Sequence, residues 1–239
     1  MKTVAILPAR LGSTRLPEKP LADINGRSLI QRVYENVSSC SFLDKVIVAT
    51  DSEKIIEEVK RFNGIAMMTS KDHQSGTDRI AEVAKDIETD IIINIQGDEP
   101  FIDSEIISKA FLPFKNGFRG ISTLKTKIEN EKELKDKNIV KVVCDKEDNA
   151  LYFSRSFIPF VRDNDIKIDH FRHLGIYAYD KQTLLKFTAL PMCDIEKAEK
   201  LEQLRALYSQ IPIKVSEVVY AGIGIDTPDD LEKARILLR

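Results

Sequence analysis

The stretch DIIINIQ at 90–96 is a nearly continuous β-branched run, with isoleucine at 91, 92, 93 and 95, and such a run suits a strand buried on both faces. No other feature limits the fold as strongly, because strands covered on both sides belong to parallel sheets flanked by helices. The residues before it supply the alternation that such a sheet needs. A strand-type run covers 3–7, Leu29, Ile30, Val33, Tyr34 and Val37 recur at helical spacing in 28–38, and KVIVA at 45–49 is a second strand. TDSEKIIEEVKRF at 50–62 opens on an expected capping box, Thr50 to Glu53, and continues as an amphipathic helix. Residues 65–69 suit another strand and 77–87 another helix. This β–α succession predicts a mostly parallel central sheet with helices on both sides.

After about residue 118 the rhythm changes. GISTLKTKI, NIVKVVCD, NALYFS and FRHLGIYAYD read as closely spaced strands of antiparallel character. A helix is expected at 195–209, a strand at 213–219 and a last helix at 228–238. With no internal repeat, low-complexity tract or Pro/Gly/Ser linker, 1–239 reads as one α/β domain with an antiparallel elaboration in its second half.

Composition excludes several classes. Lys and Arg number 36 against 38 Asp and Glu, a net charge of −2, which lacks the basic footprint of a general nucleic-acid binder. Cys40, Cys144 and Cys193 have no metal-ligand spacing and read as reduced thiols of a cytoplasmic protein. The N-terminal apolar run is too short for a signal peptide, and no segment has the length of a membrane span.

Against that near-neutral background, LPARLGSTRLPEKPL at 7–21 sets Arg10, Arg15 and Lys19 against Glu18 alone. In a parallel α/β sheet, ligands bind where strand-to-helix loops converge at the carboxyl ends of the strands. A loop there with hydroxyls, backbone N–H groups and three cations is suited to a polyanion. It is neither a Walker loop nor the three-glycine dinucleotide fingerprint, so phosphate is the expected ligand. In NIQGDEPFI at 94–102, the buried strand runs into Gly97, which lets the backbone turn sharply and sets Asp98 at the sheet edge. A carboxylate there is a natural Mg²⁺ ligand. In GIGIDTPDDLEKA at 222–234, Thr227, Pro228 and Asp230 account for a helix start and leave Asp226 over as a second metal carboxylate.

Three further stretches carry weaker signals. Alternation in 171–180 puts Leu174, Ile176 and Ala178 on one face and Phe171, His173, Tyr177 and Tyr179 on the other. That second face fits a subunit interface or a ligand cleft equally. In AEKLEQLRALY, Glu202 lies at the edge of the apolar stripe, in the place of a solvated residue that a ligand could still reach. DHQSGTDRI at 72–80 is a polar loop entering a helix that bears Arg79 near its start.

Taken together, PARLGSTRLPEKPL, DHQSGTDR, NIQGDEPFI, VKVV with ALYFSRSFIP, HLGIY, LEQLR and GIDTPDDLE resemble the 3-deoxy-manno-octulosonate (Kdo) cytidylyltransferase, or CMP-Kdo synthetase, family. The matching pieces run from about residue 4 to the end of the chain. The resemblance implies a Rossmann-like nucleotide-diphospho-sugar transferase fold and a homodimer. It implies CMP transfer from CTP to Kdo with Mg²⁺, for lipopolysaccharide. By the same resemblance, Arg10, Ser13 and Lys19 hold the CTP phosphates, Ser75 and Arg79 lie by the nucleotide, and Asp98 and Asp226 bind the metal. Arg10, Lys19, Asp98 and Asp226 form the catalytic set. Gln96, Arg155, His173, Tyr177, Glu202 and Gln203 surround the sugar acid. The nucleotide-binding part then covers about 1–118 with 210–239, and the sugar-binding and dimerisation part about 119–209. Glu18 departs from the family, which usually has Gly there. An 8-amino or sialic-type sugar acid, or a non-catalytic nucleotide-binding module, are the competing expectations.

Overall fold

Strand β1 (Thr3–Ala9) hides Ala5, Ile6 and Leu7 completely, and because successive side chains point to opposite faces, both faces must be covered. The structure, a computed structural model, describes residues 1–12, 15–163, 165–220 and 222–238. After β1, the two-residue strands β2 (Asp23–Ile24) and β3 (Arg27–Ser28) form a small hairpin. There follow α1 (Leu29–Ser38), β4 (Lys45–Thr50), α2 (Glu53–Arg61), β5 (Ala66–Met68), α3 (Gly76–Asp86) and β6 (Ile91–Asn94). The chain continues through α4 (Ser104–Lys115), β7 (Ile121–Lys127), α5 (Glu131–Lys135), β8 (Lys141–Cys144), β9 (Ala150–Ser154) and β10 (Phe171–Asp180). It ends with α6 (Lys181–Thr188), α7 (Asp194–Glu199), α8 (Gln203–Tyr208), β11 (Ile213–Glu217) and α9 (Pro228–Leu237).

These elements fall into two compact units, Met1–Ser108 with Ala221–Arg239, and Lys109–Tyr220. In the first unit the strands run parallel in the order β6-β1-β4-β5. All four residues of β6 are buried, as its aliphatic run predicts. The chain builds outward from β1 to β4 and β5, then returns to lay β6 on β1's other side. Loops leaving the carboxyl ends of β1 and β6 therefore diverge, and that switch point is where an open α/β sheet forms its crevice.

The second unit carries the antiparallel elaboration. Strand β10 runs antiparallel to β7 and β8, and β8 pairs antiparallel with β9, while β11 joins β7 in parallel. The fold is thus the expected mixed α/β class, Rossmann-like with a mostly parallel central sheet.

Local expectations fare unevenly. The helix expected at 195–209 is two, because Lys200 takes the left-handed conformation (φ 55°) that closes α7, and the chain is helical again only from Gln203. The Thr50–Glu53 capping box does not form. Thr50 still belongs to β4, and its hydroxyl accepts from Ser52 N (3.2 Å) ahead of a helix whose N-cap is Ser52. The strand read at 171–180 is β10, and Asp180 at its end also caps α6, which the sequence reading does not include, by accepting from Thr183 N (2.9 Å). Among the described residues no helix is long and apolar enough to cross a membrane.

The cap expected on α9 is present. Thr227 Oγ1 accepts from Asp230 N (3.3 Å), and Asp230 Oδ2 accepts from Thr227 N (3.0 Å). Thr227→Ala is expected to cost about 1 kcal/mol. Urea unfolding checks it: the midpoint falls with an unchanged m-value, and Thr227→Ser stays close to wild type.

Candidate active site

Where the β1 and β6 loops diverge, one ammonium joins two carboxylates. Lys19 Nζ donates to Asp98 Oδ2 at 2.6 Å and to Asp226 Oδ1 at 3.0 Å. Arg15 Nη2 lies 3.1 Å from Asp226 Oδ2, so the second carboxylate is held by two cations. Burial alone disfavours the Lys19 charge, but Asp98 and then Asp226 outweigh it and hold its pKa above the ordinary lysine value. Side-chain exposure rises from 16% at Lys19 through 29% at Asp98 to 48% at Asp226, so the cluster opens to solvent on the Asp226 side. The arrangement is a partly open cationic and anionic cluster able to exchange its ion pairs for a bound polyanion and a cation.

The backbone explains why the three groups meet. Lys19 opens a 3-10 turn, Lys19–Leu21, whose preceding residue, Glu18, adopts the left-handed conformation (φ 51°, ψ 32°). Glycine reaches that region at no steric cost, which gives a physical reason for the Gly that the resemblance leads one to expect there. Glu18 adopts it with its carboxylate paired to Lys54 and its carbonyl accepting from Leu21 N (2.8 Å). Asp98 is brought in by close packing. A Cβ on Gly97 would stand 3.3 Å from Pro8 O and 3.4 Å from Ile30 Cδ1, so this glycine serves close approach, and its φ is not left-handed. The C-terminal segment is fastened to the same place by Ile225 N, which donates to Asp98 O (2.9 Å). Asp226 N in turn donates to Asp230 Oδ2 (3.3 Å) of the α9 cap, which steadies the next residue.

The remaining first-unit candidates divide. Arg10 is exposed just beyond β1, and Ser13 lies outside the described residues. Ser75 is the N-cap of α3, accepting from Asp78 N (3.1 Å). Next to it, a Cβ on Gly76 would come within 3.3 Å of Pro8 Cγ, so this loop is pressed against the end of β1. Arg79 is only 3% exposed, and its guanidinium is engaged by Asp51 Oδ2 (2.8 Å), Thr69 Oγ1 and Ser70 O (3.3 Å). It braces the loops after β4 and β5. Gln96 lies two residues beyond β6 and is half-buried. A cavity of about 610 Å³ adjoins Gly12, Ser52, Lys54 and Lys71.

In the second unit, β10 bulges: Leu174 pairs with Leu124, but the next partner of β7, Thr123, faces Tyr177. The rings of His173 and Tyr177 lie 5.3 Å apart, and those of Tyr177 and Tyr179 5.9 Å, so the aromatic face expected from alternation is formed. Thr123 Oγ1 donates to the carbonyl of Ile176 at 2.8 Å, with that of Leu174 at 3.1 Å. Its single proton is therefore committed, and the 2.9 Å contact to His173 Nε2 has the imidazole as donor. Nδ1 is left as an acceptor. Burial pushes the His173 pKa down to about 3, and burial, then Tyr179 and Glu202, push Tyr177 well up. Glu202 is not on a continuous helix stripe. It occupies the turn before α8, and its Oε2 is buried with no hydrogen-bond partner among the described residues. Gln203 is buried at the first position of α8. Arg155 donates from Nε to Glu199 O (2.7 Å) and from Nη1 to Lys137 O (3.1 Å), beside a cavity of about 580 Å³.

One contributor went unassigned in the sequence. The sequence reading gives Arg15 no role beyond its charge, although a third positive charge within ten residues of Lys19 is the available signal.

The comparisons with known proteins bear on the fold and the family. The 4-diphosphocytidyl-2C-methyl-D-erythritol synthase of Anaerococcus prevotii shares the fold at a TM-score of 0.66 with 16% identity, over 99% of this chain and 98% of that one. A CMP:2-keto-3-deoxy-manno-octonic acid synthetase complexed with CTP superposes at a TM-score of 0.95 with 43% identity, over 100% of this chain and 98% of that one. Fold and relatives together make the chain a nucleotidyltransferase. The cytidylyltransferase family model matches residues 4–215. The 3-deoxy-manno-octulosonate cytidylyltransferases of Trichlorobacter lovleyi and Flavobacterium johnsoniae are each 46% identical to it, over 98% and 100% of this chain and 98% and 99% of theirs. The chain belongs to the 3-deoxy-manno-octulosonate cytidylyltransferase family.

The His173 assignment has a pH signature. Its depressed pKa means that the neutral ring's contribution to stability is full above the ordinary imidazole value and is lost as pH falls toward about 3. Imidazole ¹⁵N NMR should show a neutral, Nε2-protonated ring throughout pH 8 to about 5. A ring that titrates near 6.5, the ordinary value, would contradict the assignment.

Proposed function

We propose that the chain transfers CMP from CTP to the C2 hydroxyl of 3-deoxy-D-manno-octulosonate, releasing pyrophosphate. The observation that carries this reading is the Lys19 ammonium held between Asp98 and Asp226 at the sheet's switch point, in a chain whose 46% identical relatives cover it from end to end. The attack joins the hydroxyl oxygen to the α-phosphorus and breaks the bond from that phosphorus to the oxygen bridging the α- and β-phosphates, which leaves with pyrophosphate as the hydroxyl proton passes to solvent. Such transfers depend on positioning and charge neutralisation.

The nucleotide falls to Arg10, Ser13, Lys19 and Ser75. Arg79 shapes that site through Asp51 and the Ser70 carbonyl, which its guanidinium already holds. Two carboxylates that share one cation fit a divalent ion, since Mg²⁺ takes one or two protein carboxylates and completes its shell with phosphate oxygens. Asp98 and Asp226 would hold it. When bound, the ion supplies Lewis-acid polarisation of the phosphoryl group. For that to happen Lys19 must release both carboxylates, and the triphosphate gives its ammonium a new anionic partner. Lys19 then neutralises charge on the departing pyrophosphate, with Arg10 beside it.

The sugar acid falls to Gln96, Arg155, His173, Tyr177, Glu202 and Gln203. With Nε and one N–H of Nη1 engaged, Arg155 keeps Nη2 and the second N–H of Nη1 for an end-on pair to the sugar carboxylate. Neutral His173 offers Nδ1 as acceptor, and the unpaired Glu202 oxygen offers another, so both suit sugar hydroxyls. Exposed Leu151, Phe160, Ile166 and Ile168 support a homodimer formed through the second unit. Three free cysteines agree with a cytoplasmic enzyme supplying lipopolysaccharide synthesis.

Pyrophosphate release tests the reading, measured with CTP, Mg²⁺ and a panel of Kdo, 8-amino-Kdo and sialic acid, with ATP and UTP as controls. Release should be fastest with CTP and Kdo. Asp98→Asn should lower turnover by roughly a hundredfold or more at an unchanged melting temperature. Faster release with another acid would overturn the substrate, and release from none would leave a nucleotide-binding module.

A further inference from the structure

Lys141 of β8 is fully buried, yet among the described residues its ammonium donates to no carboxylate. Its three N–H groups go to three main-chain carbonyls: Asp136 O at 2.9 Å, Ile139 O at 2.7 Å and Arg155 O at 2.7 Å. Every donor is satisfied, which is what a buried ammonium requires. One strand residue thereby fixes the 136–139 turn ahead of β8 and the residue directly after β9.

A second tie meets the first at Arg155. Glu199, the last residue of α7, accepts from Ser154 Oγ (2.6 Å) and from Arg155 N (2.9 Å) with its carboxylate. Its own carbonyl accepts from Arg155 Nε (2.7 Å), and Nη1 reaches the carbonyl of Lys137 (3.1 Å), inside the turn that Lys141 holds. The Arg155 main chain is gripped at both its N–H and its carbonyl, and the guanidinium rests on two carbonyls fixed by the same two residues. Arg155 lines the cavity of about 580 Å³ together with Lys135, Lys137, Ser156 and Glu199, so three cations face one carboxylate, which Ser154 and the Arg155 main chain already engage.

We infer that Lys141 and Glu199 are positioning residues that hold Arg155 ready for the sugar acid's carboxylate. This rests on the reading of Arg155 given under Proposed function. A free arginine loses its rotamer freedom when it binds, and a fork displaced from its geometry keeps one of two parallel hydrogen bonds. Both losses fall on sugar binding and spare the nucleotide.

The test is a double-mutant cycle on steady-state constants for Kdo and CTP. Arg155→Ala should raise the KM for Kdo. Lys141→Met, which keeps the aliphatic stem and removes the donors, should raise it by about tenfold while KM for CTP and kcat stay within about twofold. In the Arg155→Ala background Lys141→Met should add nothing, because the residue it positions is gone. If Lys141→Met does not fold, Glu199→Gln enters the same cycle. An unchanged KM for Kdo in Arg155→Ala overturns the Arg155 reading and this inference with it. A raised value there with none in Lys141→Met and Glu199→Gln, or equal effects with and without Arg155, overturns the positioning role alone.

Discussion

Three stretches distant in sequence meet at a single ammonium group. Lys19 bridges Asp98 and Asp226, and the geometry of the first unit's crevice follows from that bridge. The loop after β1, the loop after β6 and the segment entering α9 each contribute one charge to it. Pairs this exposed add little to stability. What the bridge supplies is preorganisation, because it holds two like charges side by side before any ligand arrives. The main chain is arranged to the same end. Ile225 donates to the Asp98 carbonyl, Gly97 leaves room against Pro8, and the α9 cap fixes the residues that follow Asp226.

The second unit prepares polar groups differently, by setting them against main-chain carbonyls. Thr123 spends its proton on a carbonyl of the β10 bulge and so dictates the His173 tautomer. Lys141 and Glu199 do the same for Arg155. Main-chain acceptors do not titrate, so the His173 ring and the Arg155 guanidinium keep un-ionisable partners, while the Glu199 carboxylate holds the Arg155 N–H and the Ser154 hydroxyl.

The sequence showed the sheet and the polar ends of its strands, because aliphatic runs such as DIIINIQ and the Thr227-Pro228-Asp230 helix start have local causes. What it did not show depends on contacts between distant segments. The left-handed Lys200 that splits the 195–209 helix carries no composition signal, unlike a glycine. Asp180 is rightly the end of a strand, and the helix it also caps through Thr183 is not read from the sequence. Arg79 reads as a cation near a helix start, and only tertiary packing reveals that Asp51 and Thr69 already engage it. Resemblance named the Lys19, Asp98 and Asp226 set, but their mutual pairing and the share taken by Arg15 needed coordinates.

The central claim is that Lys19 and the metal compete for the same two carboxylates, with the triphosphate drawing the ammonium away. The most direct measurement is the Mn²⁺ affinity of the nucleotide-free protein, followed by electron paramagnetic resonance in wild type, Lys19→Gln and Asp98→Asn. Lys19→Gln should bind Mn²⁺ about tenfold more tightly than wild type, a 1.4 kcal/mol difference, and Asp98→Asn more weakly. Equal or weaker binding in Lys19→Gln would contradict the account.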